Sequence, residues 1–287
     1  MTLQISVVIP VHNRPESVAR AIESVNRQTL KPLEVIVVDD ASSDATATRV
    51  AREFPAVRLI KNPVNSGVSV SRNRGVAAAR GDWIAFLDSD DEWLPDKLSH
   101  QSRAITRRRG TRICHTDEIW FRRGVRVNPK NKHRKRGGYI FEHCLPLCVI
   151  SPSTVMIERD FFHEHDGFDE SLPACEDYDL WLRMCVVTEV EFVSEALVIK
   201  QGGHDDQLSR RYWGMDRFRI VALQKLLDSD HLTTAMREAV IRTFLQKVSI
   251  LEQGAIKRRN YLWADQLRSM ADRYTQPKSL SMSDVSM

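Results

Sequence analysis

Trp83-Ile84-Ala85-Phe86-Leu87-Asp88-Ser89-Asp90-Asp91 is an apolar run that ends abruptly in three carboxylates. Trp83–Asp88 is long enough for a buried strand, and a buried strand of an α/β sheet carries the residues after it to the carboxyl edge, where such sheets bind ligands. Strand alternation predicts Asp88 and Asp90 on one side of the chain and Ser89 on the other. Two carboxylates at a ligand edge suit a hard divalent cation that also binds substrate phosphates. The plainer alternative is a polar turn with capping aspartates, Asp91 and then Asp96 before a helix.

Outward from this stretch, strands and helices alternate. Ile5–Pro10 reads as a first strand, and Pro15 suits the first turn of a helix carrying Val18, Ala21, Ile22 and Val25 on one face. Leu33–Asp39 is a near-continuous apolar strand, as a parallel strand covered on both faces should be. It ends in Asp39-Asp40-Ala41-Ser42-Ser43-Asp44, with Asp44 as a natural N-cap. A short strand at 57–61 and an alanine-rich helix at 69–79 complete the pattern before Trp83. This order predicts a mostly parallel α/β sheet flanked by helices. Neither GxGxxG nor GxxxxGK[ST] is present, so the usual glycine-loop phosphate sites are disfavoured.

Downstream the regularity weakens. A helix is expected at 97–108, strands at 112–115, 118–121, 154–157, 191–193 and 196–200, and a short helix at 139–147. Phe161, Phe162 and Phe168 should pack over the sheet. Glu176-Asp177-Tyr178-Asp179-Leu180-Trp181 opens a helix that places Asp177, Leu180, Trp181 and Met184 on one buried face, with Asp179 and Arg183 as a surface pair. From about residue 211 to 274 the pattern is helical. The domains expected are a nucleotide-binding catalytic domain at 1–205, a helical extension at 206–276, and a disordered tail at 277–287.

Composition is that of a globular protein, with 42% hydrophobic and 28% charged residues. No run approaches the length of a spanning helix, and the N-terminus reads as a strand rather than a signal peptide. Five cysteines, none in a CxxC pair, predict reduced thiols in a cytosolic compartment, with neither disulfides nor zinc. The net charge of +4 is local: Arg122–Arg136 holds eight Lys/Arg and no acid, and the remainder has 34 basic against 38 acidic residues. Such a segment is a solvated loop hinged at Gly137-Gly138, or an arm that attracts a phosphorylated acceptor or an anionic membrane surface. No nucleic-acid partner is expected, because the basicity is confined to one patch.

Five ordered motifs resemble those of family 2 glycosyltransferases: Ile5 to Asn13, Val37 to Asp44, Gly67 with Arg72 to Gly75, Phe86 to Asp91, and Glu176 to Trp181. The resemblance covers about residues 4 to 205. It implies a GT-A type, Rossmann-like fold and an inverting transfer from a nucleotide-diphosphate sugar to a hydroxyl. By the resemblance, Pro10, Val11 and Asn13 contact the nucleoside, Asp40 reads the base, and Arg72 reaches the nucleotide. Asp88 and Ser89 lie at the donor, Asp90 with Asp88 holds Mg²⁺ or Mn²⁺, and His204 contacts the metal or diphosphate. A carboxylate accepts hydrogen bonds only, which favours a base presenting an N–H, such as the uracil of a UDP-sugar. Asp177 is the implied general base, with Glu176 its rival. Trp93 and Trp181 either line the sugar pocket or belong to the core.

The resemblance further implies a glycan or lipid-linked acceptor and a role in cell-surface polysaccharide or lipopolysaccharide synthesis; the cysteine usage gives a cytoplasmic location, and the charge of Arg122–Arg136 offers peripheral contact to the inner membrane face. Two alternatives compete. A nucleotidyltransferase would carry a glycine-rich basic loop where Val11-His12-Asn13-Arg14 stands. A silent nucleotide- or anion-binding module would not need Asp88, Asp90 and Asp177 together.

Overall fold

The structure, a computed structural model, describes residues 3–128, 130–203 and 212–275. The chain divides into two compact units, Met1–Trp213 and Gly214–Met287. The boundary expected at 205 and the tail expected at 277–287 lie outside the described residues.

The parallel half of the first unit is built as its alternation predicts. Strands β1 (Ile5–Val11), β2 (Glu34–Asp39), β3 (Arg58–Lys61) and β4 (Trp83–Phe86) lie in the order β3-β2-β1-β4, all parallel. Every residue of β1 and β4 is buried, because helices cover both faces. Alternate residues choose the face. Ile5, Val7 and Ile9 join Val18, Ile22 and Val25 of α1 (Pro15–Asn26) and Val50 of α2 (Thr46–Glu53) in one core. Val8 and Val38 meet α3 (Val68–Ala78) on the other face. There a Cβ on Gly75 would collide with Val8 Cγ1, so the close approach of α3 to the sheet requires glycine.

Beyond β4 the sheet becomes mixed. Next along the chain are β5 (Glu92–Trp93), α4 (Lys97–Arg107), β6 (Ile113–Arg122), β7 (Val125–Val127), α5 (Phe141–Cys144), β8 (Val155–Glu158), α6 (Arg159–Glu164), α7 (Glu176–Cys185) and β9 (Glu191–Gly202). Strand β8 runs antiparallel between β4 and β6, while β6 and β9 pair in parallel and β5 closes the path antiparallel to β9. The two pairs of short strands expected at 112–121 and 191–200 are two continuous strands. Register shifts around Asp117 absorb the polar Ser194-Glu195 interruption as a bulge. Phe86, Phe162, Phe168 and Trp181 pack as an aromatic cluster, with successive centroids 5.4–6.0 Å apart, on the face that carries Val8.

The basic segment is not a free loop. Arg123 (φ 51°) and Gly124 (φ 76°) form a two-residue turn that folds β7 back onto β6. Lys135 is buried, donating to the Val149 carbonyl (3.1 Å) and Ser151 Oγ (3.4 Å), with Glu118 at 3.5 Å. Gly137-Gly138 is no hinge either. Gly138 exchanges two backbone hydrogen bonds with Val190 (2.8 and 2.9 Å), and a Cβ on Gly137 would meet Phe192.

The second unit contains α8 (Asp216–Leu227), α9 (Thr234–Lys257) and α10 (Tyr261–Thr275). Its core is formed by Leu223, Leu226, Leu227, Val240, Phe244, Val248, Leu251 and Leu267. Thr233 caps α9 by accepting from Met236 N, and Lys247 pairs with Asp216 at 2.9 Å. Among the described residues no helix is long and apolar enough to cross a membrane.

Candidate active site

Residues at the carboxyl edge of β1 and β2 interlock. The His12 ring nitrogen Nδ1 lies 2.8 Å from the Asp40 carbonyl, Asn13 N donates to Ser42 Oγ (2.8 Å), and Ser43 N donates to Asn13 Oδ1 (2.8 Å). Pro10 and Val11 are buried beneath. The Asp40 carboxylate is fully engaged: it accepts from Asn62 Nδ2 (2.7 Å), Ser66 N (2.9 Å) and Gly67 N (2.8 Å). Its neighbour Asp39 accepts only from Ser42 N (3.3 Å) through Oδ2, and its Oδ1 is buried without a hydrogen-bond partner. An unmatched buried acceptor is costly, so Asp39 is a second candidate for the base contact that the sequence assigns to Asp40.

A turn, rather than a strand pleat, arranges the next carboxylates. Strand β4 ends at Phe86, and Asp91 N closes a turn by donating to the Asp88 carbonyl (3.0 Å). The alternation expected through Asp90 stops early, because the chain turns out of the sheet after Leu87, whose N–H still donates to the Val8 carbonyl (3.0 Å). Asp88 accepts from Arg72 (2.7 Å), Asp90 pairs with Arg14 (2.6 Å), and Asp91 lies 3.7 Å from Lys200. Asp91 is also no surface cap. It is 1% exposed and accepts from Ser153 Oγ (2.6 Å) and Gln201 N (2.9 Å), tying the turn to β9. Burial, with Asp90 and Asp88 adding repulsion, pushes its carboxyl up to about 7 despite Lys200. At Asp88 burial acts in the same direction, but Arg72, Lys200 and Arg14 outweigh it and hold the carboxyl below its ordinary value. Ser89 is buried.

Arg72 is not the surface arginine that an alanine-rich helix could have carried. It is 3% exposed, and its guanidinium donates to Asp88 Oδ1 (2.7 Å) and to Glu176 Oε1 (2.8 Å), 5.0 Å from the centroid of Phe168. The Asp88–Asp91 turn and the start of α7 are therefore joined through one buried cation. Burial and the adjacent Asp177 raise the Glu176 carboxyl, against the pull of Arg72. Glu176 is thus occupied by Arg72. Asp177 is half-buried, accepting from Tyr178 N (2.7 Å) through Oδ1 and from the Cys148 thiol (3.3 Å) through Oδ2. Burial and Asp177 push the Cys148 thiol well up, so it stays protonated, its single S–H shared between Asp177 Oδ2 and the Ile150 carbonyl (3.2 Å). Asp179 pairs with Arg183 (2.8 Å) as expected, but it is buried rather than superficial, because Arg183 also binds the carbonyls of His165 and Gly167.

Three non-glycine residues with positive φ adjoin these motifs: Asn13 (51°), Ala41 (54°) and Cys175 (63°), the last immediately before Glu176. Such strain gathers where surrounding structure fixes a functional loop. Trp93 and Trp181 are core residues at 2% and 1% exposure, and Trp93 Nε1 donates to the Ser153 carbonyl (2.8 Å). His204 lies outside the described residues. Among the described residues no three metal-ligating side chains gather. Asp88 and Asp90 nevertheless stand two apart on one turn, with side chains 23% and 19% exposed. Two accessible carboxylates completed by diphosphate oxygens and water form a donor set that Mg²⁺ or Mn²⁺ accepts.

Sequence reasoning assigned no role to Arg14, Cys148 or Lys200. Arg14 had a faint signal, an arginine directly before a helix-starting proline in a ligand-edge loop. Cys148 and Lys200 had none.

The sequence model of Glycosyl transferase family 2 matches residues 6–165. The chain is 32% identical over 195 residues to the amylovoran biosynthesis glycosyltransferase AmsB of Erwinia amylovora, covering 63% of this chain and 64% of that protein. It is 31% identical over 212 residues to the putative colanic acid biosynthesis glycosyl transferase WcaA of Escherichia coli K12, covering 69% and 73%. It spans only about a third of the rickettsial glycosyltransferases that it also matches, 31% and 35% of their lengths. Among solved structures, S. aureus TarS 1-349 in complex with UDP-GlcNAc superposes with a TM-score of 0.71 at 19% identity, over 85% of this chain and 72% of that one. This last likeness concerns the fold.

Proposed function

The chain belongs to glycosyl transferase family 2, and from that premise we propose that it is a metal-dependent, inverting glycosyltransferase acting on a nucleotide-diphosphate sugar, with a UDP-sugar favoured. The observation that carries this reading is Arg72, which joins the Asp88 turn to the Glu176-Asp177 start of α7 through a single buried guanidinium. Donor carboxylates and a candidate base are thereby held in one site, although more than a hundred residues separate Arg72 from Glu176.

In this reading the nucleoside lies against the loops after β1 and β2, with Asp39 facing the base, Asp40 holding the Ser66-Gly67 backbone beside it and Asn13 bracing the loop. Asp88 serves the ribose side of the donor. Asp90 and Asp88 would hold Mg²⁺ or Mn²⁺, which supplies charge neutralisation to the departing diphosphate. Asp177 accepts the proton of the acceptor hydroxyl as that oxygen attacks C1 from the face opposite the leaving group, and the C1–O bond to the diphosphate breaks with inversion. Tyr178 N holds one carboxylate oxygen of Asp177, and the Cys148 thiol gives way at the other to the incoming hydroxyl.

Two matched relatives are named for amylovoran and colanic acid biosynthesis. They support a glycan or lipid-linked acceptor and a role in cell-surface polysaccharide synthesis. The exposed arginines of the β6–β7 hairpin, Arg122, Arg123 and Arg126, would face an anionic acceptor or the inner face of the membrane. The test is thermal shift with UDP, GDP, dTDP and their sugars, with and without Mn²⁺. Stabilisation by one nucleoside diphosphate in the presence of Mn²⁺ is expected, and the absence of any stabilisation across the panel sinks the donor-site reading.

A further inference from the structure

We infer that Arg14 is a resident counter-charge of the donor site: it holds Asp90 until a divalent cation takes that carboxylate, and it then passes to the diphosphate that arrives with the cation. The inference rests on the donor-site reading above and assigns a role to a residue outside it.

The backbone of Arg14 is pinned. Its N–H donates to Thr46 Oγ1 (2.9 Å) and its carbonyl accepts from Val18 N (3.0 Å), at the start of α1 with Pro15 in the first turn. From this fixed base the side chain spans the loop and places a guanidinium nitrogen 2.6 Å from Asp90 Oδ2. The two other carboxylates of the turn have deeper anchors. The Asp88 carboxylate is locked to the buried Arg72, and its backbone N–H donates to Ser153 Oγ (3.0 Å). Asp91 is buried under Ser153 and Gln201 N. The Arg14–Asp90 pair is different: both side chains remain about one-fifth exposed, at 21% and 19%.

An ion pair open to solvent is readily exchanged, because water and other ions compete for both partners. Arg14 neutralises the Asp90 carboxylate through Oδ2, so its guanidinium opposes the approach of a divalent cation to that group, which favours a cation only when Arg14 swings away. A dication at Asp90 brings like charge close to the Arg14 guanidinium. Released with a nucleoside diphosphate present, it gains the ligand that arginine binds through two parallel N–H···O bonds. Metal and diphosphate should therefore bind synergistically, each weakly alone and tightly together. Arg14 is the origin of that coupling, and it also keeps the Asp88-Ser89-Asp90-Asp91 turn charge-balanced between turnovers.

The experiment measures Mn²⁺ binding by electron paramagnetic resonance and UDP binding by calorimetry, on the full chain and its Arg14→Gln and Arg14→Lys variants, with melting curves confirming the fold. Removing the competing cation should tighten Mn²⁺ binding in the absence of nucleotide by about threefold or more, and should weaken UDP at saturating Mn²⁺ by about tenfold. Arg14→Lys should fall between, since it keeps the charge and loses the fork; it carries the test if the glutamine variant fails to fold. Unchanged Mn²⁺ affinity, or unchanged UDP affinity, overturns the inference while leaving the donor site standing. A wild-type chain that binds neither UDP nor another nucleoside diphosphate with Mn²⁺ overturns both.

Discussion

Around the Asp88–Asp91 turn each carboxylate faces a cation: Arg72 on Asp88, Arg14 on Asp90 and Lys200 near Asp91. At the start of α7, by contrast, Asp177 accepts from a thiol and from the backbone N–H of Tyr178, and the cation has gone to Glu176 instead. In the proposed function the same residue type thus serves two tasks. A carboxylate locked to arginine holds charge and shape, whereas one facing a weak, neutral donor can surrender that contact to a hydroxyl and take its proton. Arg72 touches both halves, so their difference is built from one shared residue.

The largest effect should come from the acceptor half. Asp177→Asn is expected to lower glycosyl transfer by about 10²–10⁴-fold while leaving UDP affinity within about twofold. Calorimetry beside a transfer assay checks this, and joint loss of binding and transfer would erase the division between the halves. Next comes the shared residue. Arg72→Leu leaves two buried carboxylates without their cation, and urea denaturation should register a loss of about 3–5 kcal/mol.

A smaller effect separates Asp91 from its neighbours. Its carboxyl sits at about 7 in the fold against an ordinary 3.8, so the folded chain holds an extra proton between those values. Stability from this group is greatest at the acid end and declines as pH rises through about 7. Asp91→Asn, neutral throughout, should flatten that decline in the melting temperature by several °C, on the order of what a few kcal/mol produces in a chain of this size. Identical pH profiles would mean that Asp91 is ionised like Asp88. The smallest effect tests the thiol: Cys148→Ala should change kcat by about two- to tenfold, and Cys148→Ser should restore it, because a hydroxyl donates to Asp177 in the same place. Equal behaviour of the two variants would reduce Cys148 to packing.

Much of this contrast was legible in residue order. Asp88, Asp90, Glu176 and Asp177 stand at motif positions, and the buried strand that carries the first pair announces itself as an apolar run. The donor turn itself was not legible, because a strand pleat and a β-turn present the same letters after Phe86. Asp40 was the readable base contact, but its three hydrogen bonds and the unmatched oxygen on Asp39 depend on where Asn62 and the Ser66-Gly67 backbone fold back. The Arg122–Arg136 segment reads as a solvated charge run. Burial of Lys135 beside Glu118 and the docking of Gly137 on Phe192 are settled by partners far along the chain.

The sequence by itself determined the parallel half of the sheet, the helices that cover it and the identity of the carboxylates, since periodicity and turn chemistry act over a few residues. Tertiary structure alone decided which charge meets which. Arg72 reaches Glu176 across 104 positions, Asp88 across 16, and Cys148 meets Asp177 across 29. A buried ion must find its counter-ion in space, and the order of residues along a chain does not specify that distance.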